Sequence, residues 1–175
     1  KYDLSQPIIT DVIVGGNHTA GMIQYAYNLY RLNSSQSKLS PVSKLVSLDK
    51  DLLGGGGLNE VVNATPIINI LNIDSNYTNI RVYSIKYTSL NQTPIISLIE
   101  DSEIPSSGNI EIFDDGNAIQ TISLEEFLFL GSNIIIPKHI NSKFNRLFFA
   151  NYSEINFNID IDTRAYSYNN ANVAK

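Results

Sequence analysis

Hydrophobic and polar residues alternate along much of the chain, which is the period-2 pattern of β-strands. The segment from Met22 to Leu32 shows this most clearly, and a polar turn cluster, 33–37, follows it. A second apolar run, Val42 to Leu48, begins after a proline. We therefore expect Asn17 to Leu48 to form an edge hairpin of a β-sandwich, with its first strand half-buried. The residues assigned to the buried face are Ile23, Tyr25, Tyr27 and Leu29, and those between them are Gln24, Ala26 and Asn28.

Further strands are predicted on both sides of this hairpin. Turn-forming residues separate them, and long helical patterns are absent, so an antiparallel arrangement is favoured over a parallel α/β fold. Pro94 opens one of these strands, a position that proline takes at the edge of a sheet. The predicted fold is all-β, an antiparallel Greek-key sandwich of the fibronectin III or immunoglobulin-like type. The additional strands are Ile8–Val14, Pro66–Ile73, Ile80–Thr88, Pro94–Ile99 and Ile110–Phe113.

The C-terminal part of the chain has a different pattern. Leu124 to Leu130 is predicted as a short helix, with Ser123 as its N-cap, Glu126 completing a capping box and Gly131 ending it. Two more strands are expected after it, Arg146–Ala150 and Ile155–Thr163. We therefore divide the chain into a β-sandwich module, residues 1–120, with a mobile glycine-rich loop at 54–57, and a helix plus strand-rich extension or arm, residues 121–175.

Composition narrows the possible functions. A length of 175 residues fits one domain, or one domain with an extension. The net charge of −5, with no basic run, argues against nucleic-acid binding, and no apolar run approaches the length of a membrane span. Cysteine is absent, which excludes disulfides, thiolate metal sites and a cysteine nucleophile. The chain begins at Lys1 instead of Met, which indicates a fragment or a processed product.

Carboxylates are the first candidates for chemistry. Asp160 and Asp162 share a strand face with Asn158, and oxygen ligands at this spacing suit Ca²⁺, although a solvated strand face explains them better. Asp114–Asn117 lacks the spacing of a calcium loop and is assigned to turn chemistry. A glycosidase needs two carboxylates facing each other, which neighbours in sequence do not establish. The acidic pairs considered for that role are Glu125-Glu126 and those within Glu100–Glu103.

Neither histidine nor glycine motifs predict an active site. His18 and His139 are interpreted as isolated, solvated loop residues, and no Gly-x-Ser-x-Gly elbow accompanies them. The glycines 54–57 lack the Lys-Ser/Thr of a phosphate loop. The sequence therefore predicts no catalytic, cofactor-binding or metal-binding residue, no cofactor and no enzymatic activity.

The ten tyrosines allow two interpretations. They either pack in the core or at the sheet rim with their hydroxyls in water, or they form a surface on which sugars stack. Packing is favoured, because most of them occupy alternating strand positions, among them Tyr25, Tyr27, Tyr83 and Tyr87. Tyr166 and Tyr168, near the C-terminus, are expected to contact another chain.

Several segments resemble a known family. Ala20–Ser47, with its Tyr-x-Tyr strand and Ser-Pro-x-Ser segment, is similar to the closing hairpin of fibronectin type III-like modules, and Asn76–Tyr87 and Phe113–Gly116 look like strand and turn signatures of such modules in phage tails. Together with Ile136–Ala150 and Asp160–Asn169, they resemble the large stabilisation or tail muzzle proteins of crAss-like bacteriophages. The resemblance implies a virion component within a longer polypeptide, arranged as a ring at the tail. Its implied partners are other tail proteins and further copies of itself, and it carries no active-site residue.

Three functions remain open from the sequence. The first is a structural assembly module of a phage tail, which should expose apolar or aromatic strips. The second is a surface module that binds glycan or protein, which should carry a concave aromatic cluster. The third is a hydrolase, which would need facing carboxylates or a catalytic triad.

Overall fold

The computed structural model describes residues 4–32, 36–50, 55–57, 59–89, 91–130, 134–143 and 146–155. Within these ranges the chain forms ten strands and one helix. They are β1 (Ile8–Val14), β2 (Gly21–Tyr30), β3 (Val46–Leu48), β4 (Ala64–Ile70), β5 (Asn79–Tyr87), β6 (Ile95–Glu103), β7 (Ile110–Phe113), β8 (Gln120–Ile122), α1 (Leu124–Leu130), β9 (Ile134–Lys143) and β10 (Arg146–Ile155).

Eight strands form two antiparallel sheets whose inner faces share a core. One sheet has the order β1-β4-β7, and the other has the order β3-β2-β5-β6-β8. The predicted all-β sandwich is therefore confirmed, while its Greek-key, fibronectin-like connectivity stays a prediction. The predicted bounds of β1, β7 and α1 agree with the structure. The Ser123 Oγ accepts a hydrogen bond from the Glu126 amide at 3.1 Å, as expected of the N-cap.

The main core lies between the two sheets and follows from the alternation in β2. Its residues Ile23, Tyr25, Tyr27 and Leu29 are each at most 1% exposed. Ile80 and Val82 of β5 lie on the same face, and side chains of β1, β4 and β7 pack against them. Full burial of one such aliphatic side chain contributes roughly 1.5–3 kcal/mol. The members contributed by β4 and β7 are Ala64, Ile68, Ile70 and Ile112.

The second face of β2 is also buried, so the predicted half-buried strand is wrong. Gln24, Ala26 and Asn28 are at most 5% exposed. Helix α1 and the segment 37–43 cover this face, and they form a second core with β5, β6 and β8. Phe127 of α1 packs edge-on against Tyr83, with ring centroids 5.6 Å apart. Local periodicity cannot reveal this cover, because the covering residues come from other parts of the chain.

Three serines spaced three residues apart hydrogen-bond to β2 in the segment before β3. The prediction gave this strand seven residues, but β3 pairs with β2 only over Val46–Leu48. Before it, each serine amide donates to a β2 carbonyl, and each serine Oγ accepts from the amide of the same β2 residue. We call these residues the serine ladder. The pairs are Ser37 with Leu29, Ser40 with Tyr27, and Ser43 with Tyr25.

The ladder sets three residues against two of β2, so each step contains the one extra residue of a β-bulge. Each Oγ also donates to the carbonyl of the next residue. The residues immediately before the second and third serines, Leu39 and Val42, pack into the second core. One short repeat thus satisfies the edge of β2 and covers its outer face.

Two further predictions are corrected near β6. Pro94 was expected to begin an edge strand, but β6 lies between β5 and β8. The proline precedes the first paired residue, Ile95, so its missing N–H costs no ladder hydrogen bond. Strand β8 was not predicted, because three residues carry too little alternation to be recognised.

The two C-terminal strands form a sheet of their own. The predicted strand Arg146–Ala150 is part of β10, which pairs with β9 in an antiparallel hairpin. Most of the predicted strand Ile155–Thr163 lies outside the described residues, as do Gly131 and Gly54. The remaining loop glycines, 55–57, are in irregular structure.

The serine ladder predicts a specific stability loss. Ser40 is fully buried, and its Oγ accepts from the Tyr27 amide at 3.0 Å. We expect Ser40→Ala to lower the free energy of unfolding by about 1–3 kcal/mol, because a buried N–H loses its partner. Urea denaturation measures this change. Ser37→Ala is the matched control, since Ser37 makes the same bonds but is partly exposed and water can replace them. Equal losses in both variants would contradict the interpretation.

Candidate functional site

Two distant loops cross at one end of the sandwich. The link from β1 to β2 meets the link from β7 to β8, and the Asn17 amide donates to the Asp115 carbonyl at 2.6 Å. The two loops approach closely. A Cβ added to Gly116 would lie 2.8 Å from the backbone nitrogen of His18, and one added to Gly16 would lie 2.9 Å from the carbonyl oxygen of Asp115. Both glycines have positive φ, +78° at Gly16 and +88° at Gly116. Glycine is therefore required twice by conformation and by space.

A buried histidine, aspartate and tyrosine lie beneath this crossing, and we call them the His18 cluster: His18, Tyr25 and Asp114. His18 and Asp114 are 6% and 3% exposed. The His18 Nε2 lies 3.0 Å from the Asp114 carbonyl oxygen and 3.2 Å from Oδ1. Both neighbours are acceptors, so Nε2 carries a hydrogen. The Tyr25 hydroxyl donates to Asp114 Oδ2 at 2.8 Å, and the Gly116 amide donates to Oδ1 at 3.1 Å.

The prediction that His18 is solvated is therefore wrong, whereas His139 is exposed as expected. The turn chemistry predicted for Asp114–Asn117 is present, because both aspartates accept bonds from amides two residues on. Asp114, however, also contacts His18 and Tyr25, which turn chemistry does not explain. His18 and Asp114 are 96 residues apart in sequence, so no local pattern could bring them together.

The electrostatics of the cluster follow from burial. Burial raises the pKa of Tyr25 well above its usual value, and the negative charge of Asp114 and the hydrogen bond to it act in the same direction. The phenol consequently stays protonated and donates to the carboxylate over the ordinary pH range. The cluster ties both loops to β2 and leaves Asp114 with several donors.

A cleft of about 230 Å³ adjoins the cluster. The Lys86 Nζ donates to the Thr19 Oγ1 at 2.6 Å, across the cleft from β5 to the β1–β2 link. Burial lowers the pKa of Lys86, and the charge of Asp114 partly opposes that shift. The face of β5 that carries Ile80 and Val82 continues with Ser84 and Lys86, and that change from apolar to polar was the sequence signal for this site. The lining residues are Asn17, His18, Thr19, Ile23, Ser84, Lys86, Ile95, Ser97, Ile99, Asp114, Gly116 and Ala118.

The acidic pairs considered for hydrolysis lie on β6 and in the first turn of α1. Asp101, on β6, accepts a hydrogen bond from the Arg81 Nε at 3.0 Å and another from the Tyr30 hydroxyl at 2.5 Å. Glu125 and Glu126 are exposed in the first turn of α1. In the described ranges, no group of three or more His, Cys, Asp or Glu side chains is placed to hold a metal ion. The candidate calcium ligands Asn158, Asp160 and Asp162 lie outside those ranges.

The interpretation of the strand tyrosines as packing residues is confirmed. Tyr25, Tyr27 and Tyr83 are at most 3% exposed, and Tyr87 packs against the second core. Two of their hydroxyls donate to protein groups: Tyr83 donates to Asn28, and Tyr87 donates to Gln24. Among the described residues, no Phe or Tyr lines the cleft, so they supply no platform on which sugars stack. Tyr166 and Tyr168 lie outside the described residues.

The helix in the described part of the chain is seven residues long, and none there is long and apolar enough to cross a bilayer. An all-β sandwich in which the His18 cluster fixes two loops to β2 is typical of a structural module. Comparison with known proteins makes this more specific. A family model described as "Crassvirus muzzle protein" matches residues 1–174. A curated "Muzzle protein" of Bacteroides phage crAss001 is 30% identical over 148 residues, which is 83% of this chain and 10% of that protein.

The chain belongs to the Crassvirus muzzle protein family. Membership gives it a structural role as a component of the phage virion, and the family resemblance seen in the sequence is confirmed. The chain spans about a tenth of the length of the curated relative that it matches.

The loop crossing predicts that the space around Gly116 is as important as its φ. We expect Gly116→Ala to lower the free energy of unfolding by about 1–3 kcal/mol more than Gly55→Ala does, because the added methyl must displace backbone. Gly55 is the matched control, with a φ of +85° and no atom of another described residue within 4 Å of the added Cβ. Urea denaturation of both variants measures the difference. Equal effects would show that the loops do not pack as described.

The buried tyrosines predict a loss of stability at high pH. Burial raises the pKa of Tyr83 to about 12, and the pKa of Tyr25 is also raised. An unfolded tyrosine ionises at pH ~10. The stability that the protonated buried tyrosines contribute is therefore complete below that pH and is lost as pH rises through the folded-state pKa. We expect the urea midpoint to fall above pH ~10. Tyr25→Phe should reduce the fall, and an identical pH dependence in that variant would contradict the assignment.

Proposed function

We propose that this chain is a non-enzymatic assembly module of a muzzle protein, packed in a homo-oligomeric ring at the phage tail. Its partners are further copies of the same protein and other tail proteins. Family membership supports the structural role, and the strongest support for assembly comes from the β9–β10 hairpin. Neither nucleic acid nor a membrane is among the proposed partners, as the net charge of −5 also favours.

The β9–β10 hairpin is a two-stranded sheet built from two ten-residue strands. Within the described ranges, no strand of the sandwich pairs with it. A lone two-stranded sheet is marginally stable in water and usually needs a third strand or a packed face. Two of its apolar side chains are open to solvent, Ile140 at 63% and Phe148 at 55%. Both properties are expected of a segment that is completed by a neighbouring protein.

Helix α1 precedes this hairpin and also presents apolar groups outward. Phe127 anchors it on the sandwich, whereas Phe129 is 76% exposed and Leu128 is 42% exposed. A seven-residue helix is too short to be stable by itself, so its position depends on the buried phenylalanine. The exposed pair therefore adds candidate contact residues next in sequence to the hairpin.

The absence of enzymatic activity is supported by how the His18 cluster uses its groups. Asp114 accepts bonds from Tyr25, Gly116 and His18. A general base needs a free lone pair directed at a substrate proton. Asp114 and His18 are only 3% and 6% exposed, so the cluster is better suited to holding two loops than to proton transfer with a substrate.

Substitutions on the hairpin and helix test the proposal. We expect the double variant Phe129→Ser and Ile140→Ser to reduce incorporation of the protein into phage particles several-fold, because an interface loses apolar contacts. Quantitative mass spectrometry of purified particles measures incorporation. Thermal unfolding of the 175-residue chain should change little, by about 0.5 kcal/mol or less, since both side chains are exposed.

Leu32→Ser is the matched control, because Leu32 is 67% exposed but follows β2 on the sandwich. Its incorporation should equal that of the unsubstituted protein. Normal incorporation of the double variant would overturn the assignment of this surface to assembly.

A further inference from the structure

The floor of the cleft carries polar groups that the sandwich does not use. Ser84 on β5 lies opposite Ser97 on β6, and both line the cleft. Within the described ranges neither hydroxyl forms a hydrogen bond to another protein group, although Ser84 is only 6% exposed. The three hydroxyls of the nearby serine ladder, in contrast, all form hydrogen bonds. Two adjacent hydroxyls directed to a cleft are suited to a polar ligand.

Lys86 is the cation of this cleft. It is half-buried, and its protein hydrogen bond goes to the neutral hydroxyl of Thr19 at 2.6 Å. Among the carboxylates in the described part of the chain, none lies within 4.0 Å of its Nζ, in contrast to Lys50, which pairs with Glu60. An ammonium group has three donors, and a half-buried one is stabilised by an acceptor that carries negative charge. Lys86 and the two serines thus favour an anion.

Asp114 limits the kind of anion. Its carboxylate lines the same cleft, close enough for its charge to act on Lys86. Lys86 can neutralise one negative charge, and a second one would be taken out of water beside Asp114 without a cation to pair with it. Singly charged carboxylates are therefore favoured over phosphate.

The apolar walls of the cleft favour a ligand with an aliphatic part. Ile23, Ile95 and Ile99 line the cleft beside the polar groups. The cleft volume of about 230 Å³ leaves room for a short aliphatic chain ending in one carboxylate.

We propose that this cleft is a binding site for an aliphatic carboxylate, held by Lys86, Ser84 and Ser97 and packed against the three isoleucines. A free short-chain acid and a glutamate side chain of a neighbouring protein share this chemistry. The site is independent of the proposed ring assembly, because its residues belong to the sandwich and not to the β9–β10 hairpin.

Titration of the 175-residue chain, followed by ¹H–¹⁵N NMR, tests the proposal. The probes are butyrate, N-acetylglutamate amide, inorganic phosphate and the neutral isostere butyramide. We expect saturable shifts at the amides of Thr19 and Lys86 with both carboxylates, and none with butyramide. Tighter binding of the acetylated glutamate would identify a protein side chain as the ligand, and tighter binding of butyrate would identify a free acid. Equal shifts with butyramide, or tighter binding of phosphate, would overturn the proposal.

Lys86→Met should weaken butyrate binding at least tenfold, whereas Lys44→Met, at an exposed lysine outside the cleft, should leave it unchanged. Ser97→Ala should weaken it by a smaller factor. The unsubstituted protein offers a test that needs no variant: affinity should fall as pH rises and Lys86 loses its proton. Retained affinity in Lys86→Met within twofold, or affinity that does not fall up to pH ~11, would contradict the role of the ammonium group.

Discussion

Strand β2 is buried on both faces and hydrogen-bonded along both edges, and the rest of the sandwich depends on this. Its inner face forms the main core with the three-stranded sheet, and its outer face is covered by α1 and the segment 37–43. One edge pairs with β5 over nine residues, from Met22 to Tyr30. The other edge pairs with β3 and then with the serine ladder. A buried strand without full backbone pairing would be costly, so the ladder is as necessary as the core.

The same strand connects the fold to the polar end of the sandwich. Tyr25 packs in the main core through its ring and donates from its hydroxyl to Asp114. Asp114 in turn contacts His18, so two loops far apart in sequence are fixed to β2. His18 and Asp114 also line the cleft, so the same contacts hold part of its wall in place. A module held in this way is suited to a structural component of a virion.

Local sequence patterns predicted a large part of this architecture. Alternation in Ile110–Phe113 and Ile80–Thr88 predicted β7 and, within one residue at each end, β5, and Ser123 marked the start of α1. What they missed was set by contacts between distant segments. The burial of Asn28 depends on cover from other parts of the chain, and that of His18 depends on a loop 96 residues away. The period-3 serines were visible in the sequence, but their role appears only when β2 lies beside them.

Function is divided between two parts of the chain in this account. We propose that the sandwich is a stable body with a carboxylate site and that the β9–β10 hairpin provides the assembly contact. Hydrogen exchange of the free chain and of assembled particles tests this division most directly. The account predicts slow exchange at the amides of Tyr25, Tyr27 and Leu29 in both samples. Amides of β9 and β10 should exchange fast in the free chain and slowly in particles. Hairpin amides that are equally protected in both samples, or fast in both, would contradict it.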